Sequence, residues 1–137
     1  MTPGRGLHHQ GLEHMPIYMD ISRIDRRVVI TAHGHITAEE IAANTKELIE
    51  ANVPHFGKII DVTLSKSDLT KEQVERIAAL LRGQPGDRSR GPVAFVIDPK
   101  REGFANAFAE VTKGDRPVML FHTIHAARQW LDTHPRV

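Results

Sequence analysis

The sequence predicts a mixed α/β domain with a mainly parallel sheet that begins with an antiparallel hairpin. Two strand-like segments follow one another near the N-terminus, and short apolar runs then alternate with amphipathic segments at helical spacing. The chain has 137 residues, 40% hydrophobic and 26% charged, which suits one ordinary domain with a single core. The predicted order is β-β-α-β-α-β-α-β-α, with right-handed crossovers and with the helices packed around the sheet.

The first two predicted elements are strands joined by a tight turn. Residues 18–24 read YMDISRI and residues 26–34 read RRVVITAHG, with the polar pair Asp25-Arg26 at their junction. Strand-like segments separated by so short a polar link are typical of an antiparallel hairpin.

The first predicted helix begins at Thr37. Thr37 and Glu40 have the spacing of a capping box, in which the threonine side chain and the glutamate side chain each bind a backbone amide of the other. The residues expected on one face are Ile41, Thr45, Leu48, Ile49 and Asn52. Val53-Pro54 is expected to end the helix, because a residue that precedes proline is disfavoured in the helical region.

A second strand and helix are predicted from residue 58 onwards. Lys58–Val62 is a short β-branched run that predicts a buried strand, and a polar loop rich in hydroxyl groups is expected after it. Thr70-Lys71-Glu72-Gln73 is a second capping box, and apolar residues at helical spacing follow until Gly83. The free amides at the start of such a helix favour anions.

The remaining elements follow a loop of turn-forming composition at residues 83–92. Pro92–Ile97 predicts a buried strand, and Asp98 is expected to cap a helix that ends at Gly114. Residues 117–121 predict the last strand, and Thr123 is expected to cap the final helix. The apolar residues expected on the buried face of this final helix are Ile124, Ala127, Trp130 and Leu131.

Composition also limits the classes of protein and the compartment. Residues 1–15 show no apolar periodicity and predict a flexible tail, with a single domain over residues 16–135. The net charge of +1 gives no reason to expect nucleic acid as a partner. The absence of cysteine and of an apolar run long enough to cross a bilayer predicts a cytoplasmic protein with no membrane insertion.

Several core segments together resemble the SpoIIAA-like proteins of the STAS superfamily. They are Gly34-His35-Ile36-Thr37, Lys58-Ile59-Ile60-Asp61, Val93–Val96, Val118–Phe121 and Ala126–Leu131, within residues 18–133. The resemblance implies a STAS-type fold and a non-enzymatic regulatory or protein-interaction module, with a kinase or regulator as partner. A homodimer is a further candidate assembly.

The resemblance also indicates where a regulatory site would lie. The anti-sigma-factor antagonists of that superfamily carry an Asp-Ser-Ser-Gly motif whose serine is phosphorylated, and this chain has no such motif. The corresponding position falls near Thr70, which makes Thr70 the first candidate phosphoacceptor, followed by Ser67 and Ser65. Helix capping by itself also explains a threonine at this position.

Two further kinds of binding site are candidates. Asp61 and Asp98 follow buried strands, and together with His122 they are expected at the carboxyl ends of the parallel strands, where open α/β sheets bind ligands. An apolar groove lined by Phe104, Phe108 and Met119 is the alternative, and it would make the protein a carrier of a small apolar ligand or lipid.

Metal, cofactor and catalytic sites are not expected. The pairs His33/His35 and His122/His125 lack a third ligand at a suitable spacing, and three more histidines lie in the predicted tail. The sequence contains no nucleophile elbow, phosphate-binding loop or dinucleotide fingerprint. The interpretation therefore leans away from an enzyme.

Overall fold

The computed structural model describes residues 16–53, 55–67, 70–82, 91–98, 100, 103–111 and 117–133, and the structural statements below concern these residues. The predicted tail, residues 1–15, lies outside them. The elements are β1 Ile17–Ser22, β2 Arg27–Ile36, α1 Ala38–Ala51, β3 Gly57–Ser67, α2 Lys71–Arg82, β4 Val93–Val96, α3 Gly103–Val111, β5 Val118–Phe121 and α4 Ile124–Asp132. This order is the predicted one.

The five strands form one sheet in the order β1-β2-β3-β4-β5. β1 and β2 are antiparallel, and every later neighbour is parallel. A parallel neighbour requires a crossover, and the helices α1, α2 and α3 provide the three crossovers. The predicted mixed sheet with an N-terminal hairpin is therefore confirmed.

The hairpin turn is longer than the two residues that the sequence suggests. Residues 23–26 form the turn, in which the Asp25 amide donates to the Ser22 hydroxyl at 3.1 Å. Arg26, the last residue of the turn, has a φ of 55°, a left-handed conformation that is uncommon for residues other than glycine.

Helices pack on both faces of the sheet, with unequal coverage. The first face carries α1 and α3, and α2 contacts both of these helices. The core of this face includes Val28, Ile30, Leu48, Phe95 and Phe108. The second face carries α4, which packs over β3, β4 and β5. The core of the second face comprises Ile59, Ala94, Val96, Ala127 and Leu131.

The strand predicted over Lys58–Val62 is much longer in the structure. β3 continues to Ser67, because β2 continues beside it to Ile36 and supplies partners for Leu64 to Ser67. The segment predicted as a polar loop is therefore strand up to Ser67. This change places two of the candidate phosphoacceptors, Ser65 and Ser67, in a strand, and Thr70 stays at the start of α2.

The predicted helix starts are confirmed at Thr37 and Thr123. The Thr37 hydroxyl and the Glu40 side chain form the complete capping box, and the Thr123 hydroxyl accepts from the Ala126 amide at 3.1 Å. At the other end of α1, Asn52 adopts a left-handed conformation, which asparagine tolerates well. This C-cap ends α1 just before Val53.

Two expectations about the later helices need correction. Asp98 does not begin α3, which starts at Gly103, and its carboxylate instead accepts from the Lys100 amide at 2.9 Å in the preceding turn. Trp130 is only partly buried, since it lies at the margin of the second-face core with its ring 5.7 Å from that of Phe121.

Candidate functional site

The carboxyl ends of β2 and β3 extend past the rest of the sheet as a two-stranded ribbon. We define this ribbon as His33–Ile36 of β2 paired with Leu64–Ser67 of β3. β4 pairs with β3 only as far as Asp61. Ile36 is buried, whereas His33, Gly34, His35, Leu64 and Lys66 are all exposed. The ribbon therefore presents an accessible surface with mixed apolar and basic side chains.

A β-bulge separates the ribbon from the main sheet, and Asp61 stabilises it. The register shifts between the pairs Thr31↔Asp61 and His33↔Leu64, where β3 carries one residue more than β2. The Asp61 carboxylate accepts from the Thr63 amide at 3.0 Å and from the Thr63 hydroxyl. These bonds satisfy the backbone at the bulge, so Asp61 has a structural role at the predicted site.

Gly34 gives the ribbon its shape on the β2 side. Its φ of +79° lies in the region that favours glycine, and a Cβ added there would meet nothing within 4 Å. The backbone conformation alone therefore accounts for glycine between His33 and His35.

The predicted phosphoacceptors occupy three different environments. Thr70 is exposed and caps α2, because its hydroxyl accepts from the Gln73 amide at 3.2 Å while the Gln73 side chain accepts from the Thr70 amide at 2.9 Å. Ser65 is partly buried in the ribbon, and its hydroxyl donates to the Val62 carbonyl at 3.0 Å. Ser67 is the last residue of β3, and the structure does not describe its side chain. Thr70 is thus the exposed hydroxyl group among the described candidates.

The residues of the predicted strand-end site do not all follow strand ends: Asp61 lies within its strand, because β3 continues to Ser67. Asp61 pairs with Val96, which pairs with Phe121, so Asp98 follows the end of the neighbouring strand β4 and His122 follows the end of β5, one strand further away. The carboxylates of Asp61 and Asp98 each accept a backbone amide from a residue two positions ahead. Local backbone geometry therefore accounts for a contact of each aspartate, and His122 is exposed after the end of β5.

The predicted apolar groove is not formed by the residues proposed for it. Phe108 is buried in the first-face core, with its ring 5.4 Å from that of Phe95. Met119 is 45% exposed and pairs in register with Ala94, which belongs to the core of the second face. Phe108 and Met119 therefore lie on opposite faces of the sheet and cannot line one groove. Phe104 lies in α3, and the structure does not describe its side chain.

The histidine pairs do not assemble into a larger cluster. Within the described ranges, no three histidine, aspartate or glutamate side chains form a group that could hold a metal ion. His33 and His35 lie on the ribbon, and His125 lies on α4.

Sequence reasoning missed the most exposed feature of the ribbon. Leu64 is 72% exposed within a strand, although it was expected in a polar loop. The alternation of Ile60, Val62 and Leu64 with polar residues was a signal that the strand continues. It did not indicate that the last of these apolar side chains would lie in solvent.

None of the described helices is long and apolar enough to cross a membrane.

Comparisons with known proteins support the fold. No protein-family model matches the chain, and no curated protein sequence matches it. A crystal structure of an uncharacterised DUF3478-family protein from Shewanella loihica PV-4, with a SpoIIAA-like fold, is similar with a TM-score of 0.56. The two chains are 22% identical, and the match covers 84% of this chain and 91% of the other. The arrangement of one mixed five-stranded sheet and its helices is therefore a SpoIIAA-like fold.

Proposed function

We propose that this protein is a regulatory protein-interaction module that binds its partner through the ribbon. The observation that carries the proposal is Leu64, a large apolar side chain that is 72% exposed on a strand pair projecting beyond the sheet. A leucine gains free energy when a partner covers it, at roughly 25 cal/mol for each Å² of apolar surface removed from water. A rigid strand also presents it at a low entropic cost.

The residues around Leu64 define the chemistry of the partner. Lys66 is exposed two positions further along β3, and the exposed histidines His33 and His35 pair in register with Leu64 and Lys66. A partner that complements this surface presents acidic side chains around an apolar residue. Attraction between the charged groups sets the association rate, and burial of Leu64 supplies affinity.

Regulation by phosphorylation of Thr70 completes the proposal. Thr70 is exposed and lies four positions after Lys66, at the start of α2. A phosphate there adds a charge of about −1.5 to −2 beside a basic surface and is favoured by the N-terminus of the helix. The added charge repels an acidic partner, so phosphorylation of Thr70 is expected to release it.

The ribbon is tested by paired substitutions at exposed positions. Partners are captured from an extract of the organism that encodes the protein, identified by quantitative mass spectrometry and purified for titration calorimetry. Leu64→Ser and Lys66→Glu are expected to weaken binding at least about tenfold, which corresponds to roughly 1.4 kcal/mol. The loss for Lys66→Glu is expected to shrink at high salt, because screening weakens interactions between exposed charges.

Matched controls come from outside the ribbon. Ile24 is 93% exposed in the hairpin turn, and Lys46 is exposed on α1. Ile24→Ser and Lys46→Glu repeat the same chemical changes and are expected to leave the dissociation constant unchanged. Equal binding by Leu64→Ser and Ile24→Ser would show that the partner does not use the ribbon.

A further inference from the structure

Among the described residues no strand pairs with the outer edge of β1, and this edge strand has an unusual combination of length and composition. β1 is the outermost strand of the sheet, and its register with β2 is continuous from Ile17↔Ala32 to Ser22↔Arg27, without a bulge. Within Ile17–Ser22 there is no proline, lysine or arginine. Bulges, prolines and charged residues, lysine above all, usually protect an exposed edge from pairing with another strand, and Asp20 is the one such residue in β1.

The hydrogen bonds of the hairpin show which backbone groups point outward. The His33 amide donates to the Pro16 carbonyl at 2.9 Å, which makes Pro16 and His33 a hydrogen-bonded pair. Hydrogen-bonded pairs alternate along an antiparallel ladder, so Tyr18 and Asp20 also bond towards β2. The amides and carbonyls of Ile17, Met19 and Ile21 therefore face the open edge.

We propose that two copies of this chain associate through antiparallel pairing of their β1 strands, around a twofold axis that passes by Met19. In this register Met19 lies opposite Met19 of the second copy, and Ile17 lies opposite Ile21. The residues with outward-facing backbone groups, Ile17, Met19 and Ile21, then lie opposite residues of the same set in the second copy. The two sheets join into one continuous sheet with isologous symmetry.

The side chains of β1 are also complementary to themselves in this register. Ile17, Met19 and Ile21 are partly buried against the first-face core, and pairing aligns them with the same apolar residues of the second copy. On the other face, Tyr18 is 56% exposed and Asp20 is exposed. Each Tyr18 lies opposite Asp20 of the second copy, so the two carboxylates do not face each other directly.

The opposite edge of the sheet is less suited to this kind of pairing. β5 has four residues, and its partner β4 is bonded through the carbonyls of Pro117 and Phe121. Bonds alternate along the strand, so Val118 and Leu120 are left with outward-facing groups. A short edge strand offers fewer backbone bonds to a second copy than β1 does.

A register-specific disulfide tests the proposal, because the chain contains no cysteine. Tyr18→Cys and Asp20→Cys are made in separate, differently tagged full-length chains and mixed under mild oxidation. Opposite residues of a non-hydrogen-bonded pair have Cα atoms about 4.5 Å apart, which a disulfide can span. In either variant alone the two cysteines are diagonal neighbours about 7 to 8 Å apart, which is too far.

The expected result is a covalent dimer in the mixture and none in either variant alone. The wild-type chain is expected to sediment at twice its mass of 15.3 kDa. Met19→Pro removes an outward-facing amide and is expected to sediment at the single-chain mass, with an unchanged far-UV circular dichroism spectrum. A wild-type monomer at all concentrations, a dimer without the mixture-specific disulfide, or equal cross-linking of the single variants would each overturn the proposal.

This association is independent of partner binding through the ribbon. The twofold axis reverses every strand of the second copy, so the ribbons of the two copies lie at opposite ends of the joined sheet. Leu64→Ser is therefore expected to leave the sedimentation mass unchanged, which separates failure of one proposal from failure of the other.

Discussion

At the scale of single residues, the loop between α1 and β3 depends on two unusual contacts. Lys58 is 3% exposed, and its ammonium group donates to the carbonyls of Phe56 at 2.9 Å and Val53 at 3.4 Å. Gly91 lies against the same loop, close to the backbone of His55 and Phe56. The Lys58 side chain thus holds the backbone of this loop in place. The lack of a side chain at Gly91 lets the loop lie next to the start of β4.

We predict that Gly91→Ala is strongly destabilising. An added Cβ would lie 2.5 Å from the His55 carbonyl oxygen and 2.6 Å from the Phe56 carbonyl carbon, and both are backbone atoms that cannot rotate away. The expected loss is about 3 kcal/mol or more in the free energy of unfolding, measured by urea denaturation.

Gly57→Ala is the control for this substitution. Its added Cβ would meet the Leu131 side chain at 3.4 Å, which a small adjustment of a flexible group accommodates. If Gly91→Ala lowers the free energy of unfolding no more than Gly57→Ala does, the backbone of His55 and Phe56 does not lie as close to Gly91 as the structure places it.

At the scale of elements, capping chemistry explains where helices begin, and strand pairing explains how far β3 extends. The caps at Thr37, Thr70 and Thr123 each use a threonine hydroxyl that accepts from an amide three residues ahead. The ribbon instead depends on bonds between residues about thirty positions apart in the sequence. Thr70 caps α2 just after the ribbon in the sequence, so it can contribute to stability and to regulation. Substitutions at Thr70 separate these two contributions.

We predict that Thr70→Ala lowers the free energy of unfolding by about 0.5 to 2 kcal/mol, the usual value of a lost N-cap, and leaves partner binding intact. Thr70→Glu is expected to lose less stability, because its carboxylate lies near the N-terminus of α2. It is also expected to weaken partner binding, since it imitates the charge of a phosphate. Thermal unfolding and titration calorimetry measure the two effects.

Thr123→Ala serves as the comparison, because Thr123 caps α4 in the same way and lies outside the ribbon. It is expected to reproduce the stability loss with no change in binding. Identical partner affinity for Thr70→Glu and Thr70→Ala, with no phosphate on the native protein, would contradict the regulatory role of Thr70.

At the scale of the whole molecule, the two faces of the sheet differ in how many helices protect them. Three helices pack on the first face side, while the second-face core among the described residues is completed by α4 alone. Ala127 and Leu131 are buried in that core, and an ion pair of 3.1 Å between Arg27 and Asp132 connects the end of α4 to the start of β2. Docking of α4 therefore has a large share in the cooperative stability of the domain.

We predict that Leu131→Ala destabilises the domain by about 2 to 5 kcal/mol, as expected for a buried leucine. Leu131 is 3% exposed and contacts the centre of the second-face core. Trp130→Ala is expected to cost less, about 1 to 3 kcal/mol, because Trp130 is only partly buried at the margin of the same core. Chemical denaturation of both variants gives the comparison, and a larger loss for Trp130→Ala would contradict the position of α4.

The order of the elements and the starts of α1, α2 and α4 were determined by the sequence itself. An N-cap hydrogen bond requires only that a hydroxyl meets an amide three residues ahead, and apolar periodicity shows in a short window of residues. Thr37, Thr70 and Thr123 were therefore identified correctly without knowledge of their tertiary surroundings. The resemblance of the core segments to SpoIIAA-like proteins also held at the level of the fold.

The length of β3, the ribbon and the opposite positions of Phe108 and Met119 were decided only by the tertiary structure. Residues 63–67 are strand because β2 runs beside them, and a single segment does not reveal its pairing partner. Likewise, the side of the sheet on which a side chain falls depends on the register with neighbouring strands. Exposure of Leu64 follows from the same cause, since β4 ends before it and leaves that part of β3 uncovered.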